Sequence, residues 1–381
     1  MKAIINGLVW TGIANQPAVP GTVLVEGACI KEVGLDVVVP EGVEKIDAKG
    51  GWVTPGLIDV HTHLGVHTQG LGHDGHDFNE TTAACTPEVR AIDGVNPLDP
   101  GFNDARNSGV TTVQILPGSA NVIGGETCIL KTAGRTVADM TVKAPSAMKA
   151  ALGENPKRVH GGKGRAPETR MGVAAVFRQA LMNAQDYAER KRAGKLEKRD
   201  LGMEQLVPVI EGKRPMRVHA HRADDIMTVL RIADEFSLRL TIEHATEGHL
   251  IAEELANSGV RFTIGPTFSS RSKQELANKS WETIQVFAEK NVPFSITTDH
   301  PVIPIEHLLT TATFALKYGI SEQRMLEAIT VRAAEHLDID DRLGTIEAGK
   351  DADLVIWSGS PLQAGTVVRE TFINGESVYT N

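Results

Sequence analysis

Pro55-Gly56-Leu57-Ile58-Asp59-Val60-His61-Thr62-His63 is the stretch from which the fold can be read. A short apolar run ends in His-x-His. Residues i and i+2 of a β-strand face the same side, so His61 and His63 project together, with Asp59 on the same face. Imidazole nitrogens bind zinc at about 2.0–2.1 Å, so two such neighbours can share one ion. The pattern recurs downstream. Met216-Arg217-Val218-His219, Leu240-Thr241-Ile242-Glu243-His244 and Phe294-Ser295-Ile296-Thr297-Thr298-Asp299 are β-rich runs that each end in a metal-ligand side chain, with a helical pattern after each. In a barrel of parallel strands those ends meet at one rim, where barrel enzymes place their sites.

Strand patterns fall at residues 57–63, 111–116, 127–132, 147–152, 216–219, 238–243, 261–264 and 294–298, and amphipathic helices at 170–192, 223–236, 247–258, 273–290 and 305–318. This alternation predicts an α/β fold, a (β/α)8 TIM barrel of parallel strands over residues 55–340. A doubly wound open sheet is the alternative, but no glycine-rich phosphate turn follows the first strand. The ends read differently. Short β-rich runs at 3–9, 22–26 and 29–33 match others at 352–357 and 367–373, and Asn374-Gly375 is a hairpin turn signal. Residues 1–54 and 341–381 are therefore expected to pair into one small β-sandwich domain. Two long loops, 67–100 and 153–168, interrupt the barrel, and the charged run 189–200 reads as a solvated helical face.

The chain has 381 residues, 41% hydrophobic and 23% charged, with a net charge of −9. That acidic balance argues against a nucleic-acid partner. No stretch approaches the roughly 20 apolar residues of a membrane span. Cys29, Cys85 and Cys128 are odd in number and widely spaced, which points to no disulfide framework and to a reducing cytoplasm. The partner implied is a small molecule, with self-association a further expectation.

The motifs PGLIDVHTH at 55–63, VHAH at 218–221, IEH at 242–244, TTDH at 297–300 and GTIEAGKDADLVIW at 344–357 together resemble the amidohydrolase superfamily, with the strongest likeness to imidazolonepropionase-related members. The resemblance covers essentially the whole chain. It implies that His61 and His63 ligate the more buried of one or two Zn²⁺ ions. His219 and His244 would ligate the second, and Asp299 would ligate the first and act as general acid/base. Elementary chemistry agrees, because a zinc-bound water has its pKa lowered toward 7 and a neighbouring carboxylate can carry its proton to a leaving nitrogen.

Binuclear members often bridge their ions with a carboxylated lysine at the end of the fourth strand. Lys149 is the match, and Lys131 and Glu126 are its rivals. Asp59 is suited to orient a ligand from behind. His221 shares a face with His219 and reads as a catalytic substrate contact. His67, Arg90, Glu154 and Arg170 are candidate substrate-binding residues; His73, Asp74, His76 and Asp77 crowd the first long loop. The GGKG at 161–164 lacks the spacing of a phosphate loop. The reaction expected is metal-dependent hydrolysis of a non-peptide C–N bond, as in a cyclic amide. The alternatives are a metal-dependent dipeptidase or carboxypeptidase, an aminohydrolase, and a catalytically silent relative. Deaminases of this fold commonly carry a glutamate soon after the fifth-strand histidine, and none follows His219 here.

Overall fold

The computed structural model describes residues 1–14 and 16–381. From the N-terminus come β1 (Lys2–Val9), β2 (Val19–Glu26), β3 (Cys29–Gly34), β4 (Glu44–Asp47) and β5 (Trp52–Pro55). The barrel strands follow: β6 (Leu57–Thr62), β7 (Val110–Ile115), β8 (Ile123–Lys131), β9 (Thr141–Ala151), β10 (Met216–Ala220), β11 (Leu240–His244), β12 (Arg261–Ile264) and β13 (Phe294–Ile296). The chain ends with β14 (Leu354–Trp357), β15 (Val368–Ile373) and β16 (Glu376–Thr380).

β6 to β13 lie side by side in sequence order, as a TIM-like barrel requires. One strand departs from the parallel pattern: β8 runs antiparallel to both β7 and β9. Only residues 116–122 separate β7 from β8. A parallel crossover takes a dozen or more residues, so this link can only turn the chain back. The seam between the first and last strands is closed largely by side chains. The Asp59 carboxylate accepts hydrogen bonds from the Thr298 hydroxyl at 2.6 Å and its backbone N–H at 3.1 Å, and His63 N–H donates to the His300 carbonyl at 2.8 Å. Asp59 thus joins the two strands that carry His61 and Asp299.

Helices cover the outside. Thr169 caps the helix Arg170–Arg192 by accepting from Gly172 N–H, and Val173, Phe177, Leu181, Ala184 and Ala188 form its buried stripe. That helix stops at Arg192, so the rest of the charged run is loop. A second helix, Leu201–Ile210, starts at an Asp200 cap and packs on it; Pro208 breaks its sequence pattern. Two expected helices are shorter than their patterns. In 273–290 only Glu282–Glu289 is α-helical, and 247–258 divides into a 3₁₀ turn and Ala252–Ala256. The loop at 153–168 contains the helix Glu154–Gly161.

The terminal sandwich takes the form of one hydrogen-bonded sheet, ordered β16-β15-β14-β5-β1-β2-β3 with β4 added beside β1. It closes on its own core of Ile4, Val23, Val53, Leu354, Ile356 and Phe372. Asn374 and Gly375 turn β15 into β16 with φ of 51° and 74°, the positive pair that a tight hairpin needs. Lys131, at the lower end of β8, reaches Asp351 and Asp353 and ties the barrel to this sheet. No helix among the described residues is long and apolar enough to cross a membrane.

Candidate metal centre at the barrel mouth

Strand alternation turns His61, Lys149 and His219 inward, and each is at most 2% exposed. His244 and Asp299 come from the ends of their strands, through left-handed backbone at φ 76° and 53°. That conformation is costly for residues with a Cβ and clusters at functional sites. It lets His244 swing into the mouth while Glu243, its neighbour, also points into the barrel.

Four histidines are held from behind. His61 Nδ1 donates to Glu243 Oε2 at 3.1 Å, His63 Nδ1 to the Leu116 carbonyl at 2.8 Å and His244 Nδ1 to the Gly265 carbonyl at 2.8 Å, and His221 Nδ1 pairs with Thr246 Oγ1 at 2.7 Å. Pinning Nδ1 leaves Nε2 as the free lone pair, the arrangement found behind metal-ligating histidines. His61 and His63 Nε2 lie 3.6 and 3.4 Å from Asp299 Oδ1. Two sets bring their ligand atoms within 4.8 Å of one another: His61, His244 and Asp299, and His219, His221 and His244. His219 Nδ1 is buried without any hydrogen-bond partner. An orphaned nitrogen inside a ring of imidazoles fits a cation better than it fits a closed polar core. Burial also holds the rings neutral: it drives His61 down to about 3, with the nearby Lys149 adding to the effect, and lowers His219, His221 and His244 as well.

Lys149 reaches the first of these sets, its Nζ 3.1 Å from His61 Nε2, and burial pushes its amine down to about 8. Its rivals are elsewhere. Lys131 is at the base, and Glu126 pairs with Arg90 and Arg214. His221, expected as a substrate contact, stands among the ligand-type nitrogens. Arg90 and Arg170 have partners of their own, Arg90 Nε 3.1 Å from Glu126 and Arg170 Nε 3.1 Å from Asp225. Glu154 braces a loop: its N–H donates to Glu275 Oε2 at 3.1 Å, and Glu275 N–H donates back to Glu154 Oε2 at 3.2 Å. His67 stacks on Phe78 at the rim, and His300 accepts from Ile305 N–H.

Sequence reading passed over two carboxylates. Glu243, next to His244, was given no role; alternation from Thr241 was the only signal. Glu275 was hidden inside an expected helix. It is 1% exposed, 3.4 Å from His219 Nε2 and 3.6 Å from His221 Nε2, and it pairs with Lys273 at 2.6 Å.

A mixed barrel with a split β domain and a His/Asp cluster at its mouth defines a class, and comparison with known proteins agrees. Residues 52–378 match the model of the Amidohydrolase family, and the chain belongs to that family. It is similar to a crystallographically solved amidohydrolase from Thermotoga maritima MSB8, 40% identical with all of both chains covered and a TM-score of 0.97. Amidohydrolase tasK of Hapsidospora irregularis is 32% identical over 99% of this chain, which spans 43% of that relative's length. An imidazolonepropionase of Mesorhizobium japonicum is 26% identical, over 94% of this chain and 90% of its own.

Proposed function

We propose that this amidohydrolase is a metal-dependent enzyme that hydrolyses a non-peptide C–N bond, in a cyclic amide or a related small molecule. The observation that carries the reading is the two clusters of ligand atoms at the mouth, His61, His244 and Asp299 and His219, His221 and His244, with four histidines of the mouth fixed at Nδ1 from behind. His61, His63 and Asp299 would hold one ion, and His219 and His244 a second, with His221 within reach of it. Bound zinc would supply a Lewis acid and a water of lowered pKa.

The protein's own residues then divide the proton work. Asp299 Oδ accepts a proton from the attacking water as its oxygen bonds to the carbonyl carbon. The C–N bond breaks, and Asp299 returns the proton to the departing nitrogen. His221 directs its ring at the substrate carbonyl or completes the second ligand set. Lys149 Nζ, with its amine partly neutral, would add carbon dioxide and release a proton, giving a carbamate that would serve as an anionic ligand. Its position against His61 supports that role.

Glu275 favours a second reading. It supplies in space the carboxylate that the sequence lacks behind His219, and an acid beside the fifth-strand histidine suits protonation of a leaving amine. Deamination is therefore the alternative reaction. The likeness to an imidazolonepropionase supports the cyclic substrate.

The test is a screen of metal-stripped and zinc-restored protein against lactams, hydantoins, imidazolones, N-acyl amino acids, dipeptides and aminated heterocycles. Zinc-restored ring opening is the outcome expected. Ammonia release from an aminated ring would favour the alternative, and turnover by the stripped protein equal to that of the restored one would refute the metal reading. Loading in bicarbonate should raise the metal content toward two ions per chain in the wild type and not in Lys149→Ala.

A further inference from the structure

One group of histidines lies outside this centre. Every other histidine in the chain has a ring nitrogen within hydrogen-bond distance of a protein group. Among the described residues, His67, His73 and His76 have no such partner, and they sit together. The His67 and His76 rings are 4.1 Å apart between centroids, and those of His76 and His73 are 5.8 Å apart. His73 and His76 are exposed and His67 is half-buried.

The loop that carries them is built. Thr68 N–H donates to Gly75 O at 2.9 Å, His76 N–H to His73 O at 3.1 Å and Asp77 N–H to Val66 O at 2.9 Å. His67 and His76 oppose each other as a β-bridge. A Cβ at Gly75 would meet the Thr68 carbonyl at 2.5 Å, so this close return of the chain requires glycine. Three imidazoles are thereby gathered with their lone pairs uncommitted, and Asp74 and Asp77 add negative charge beside them. Such a set is suited to a borderline divalent ion such as Zn²⁺, Co²⁺ or Ni²⁺. The rings are not yet convergent, but exposed side chains rotate between staggered wells at little cost.

The group also leads inward. The His67 ring stacks on Phe78 at 5.0 Å, Phe78 lies 5.1 Å from the His63 ring, and His67 N–H donates to the His63 carbonyl at 2.8 Å. From solvent the order is His73, His76, His67, Phe78, His63. We propose that His67, His73 and His76 form a capture site for a divalent metal ion at the rim, from which ions pass by Phe78 to His63. This rests on the reading of the central cluster as a metal site.

The experiment uses chelator-stripped full-length protein and Zn²⁺ as probe, comparing wild type with the double variant His73→Ala/His76→Ala. Calorimetry counts tight and weak binding events, and stopped-flow competition with a coloured zinc indicator follows loading at limiting zinc. The variant should lose one weak event and load its tight sites about tenfold more slowly, since a local ligand cluster raises ion concentration and on-rate. Its final tight occupancy and its turnover when fully loaded should match wild type. Equal weak binding and equal loading rates in the two proteins would overturn the proposal. Failure of the central reading looks different: wild type would then take up no tight zinc, whatever its weak binding.

Discussion

The two ends of the barrel bury charge in opposite ways. At the base, the cation that ties the barrel to the terminal sheet meets its opposites. Lys131 Nζ lies 3.0 Å from Asp351 and also contacts Asp353, and Arg342 covers Asp351 at 2.8 Å. At the mouth, like groups face like. Four imidazoles crowd with ring centroids 4.5–4.8 Å apart, an amine joins them, and one carboxylate is shared by two Nε2 atoms. A buried set complete in itself holds structure. A buried set in which imidazoles crowd one another and the His219 Nδ1 has no partner is perturbed in the way that marks functional sites. The difference can be tested from both ends.

The largest effect should come from the mouth. Replacing His61, His63 or Asp299 with Ala should lower kcat by on the order of a thousandfold or more while circular dichroism stays that of the wild type, because a chelating group or the general base is lost. A variant retaining more than about a tenth of the activity would remove the distinction between the two ends. At the base the expectation reverses. Lys131→Met leaves Asp353, which is 4% exposed, without its cation; stability to denaturant should fall by about 3–5 kcal/mol while kcat of the folded protein stays unchanged. Loss of activity with stability intact would place Lys131 with the site and undo the contrast.

The contrast also explains what the sequence could convey. The candidate ligands on inward positions of strands, His61, His63 and His219, are legible because period-two alternation fixes their direction. The helix Arg170–Arg192 is legible because its apolar stripe repeats with helical period. His244 was found as the last residue of its run, yet its direction depends on a left-handed φ that no local pattern announces. Glu275 could not be read from the sequence. The run 273–290 has the composition of one helix, but Glu275 is drawn into the mouth by Glu154 and the histidines, contacts distant in sequence. The reversal of β8 was readable in principle, since the short link before it forbids a crossover. The rivals to Lys149 stayed open for a simpler reason. A strand's register decides whether a lysine faces in or out, and the pairing of Lys149 with Arg217 on one side and Gly125 on the other fixes it.

Glu243 sharpens the comparison, because it stands at the mouth yet is satisfied like a base residue. It accepts from His61 Nδ1 at 3.1 Å and lies 3.3 Å from His336 Nε2. Glu243→Gln keeps the shape and removes the charge behind His61. Zinc affinity, measured by competition with a chelator, should fall about 10–100-fold, the usual cost of losing such a partner. An unchanged affinity would mean that His61 needs no anchoring.

The smallest effect should fall at Arg90, and the reason separates the two kinds of buried charge most clearly. Its guanidinium pairs with Glu126, which is 3% exposed, so removing it resembles breaking a buried bridge. Yet Arg90 itself is 42% exposed at its side chain, and solvent already screens its half of the pair. Glu126 also keeps a second cation, Arg214, which is more deeply placed at 14% exposure. The carboxylate therefore remains compensated in Arg90→Ala, unlike Asp353 in Lys131→Met. The cost should be under about 1 kcal/mol in denaturant unfolding. Because Arg90 is engaged on the far side of β8 from the histidine cluster, KM for the substrate found by screening should not change. A tenfold rise in KM with stability intact would show that the guanidinium leaves Glu126 to grip substrate, and Arg90 would then belong to the mouth.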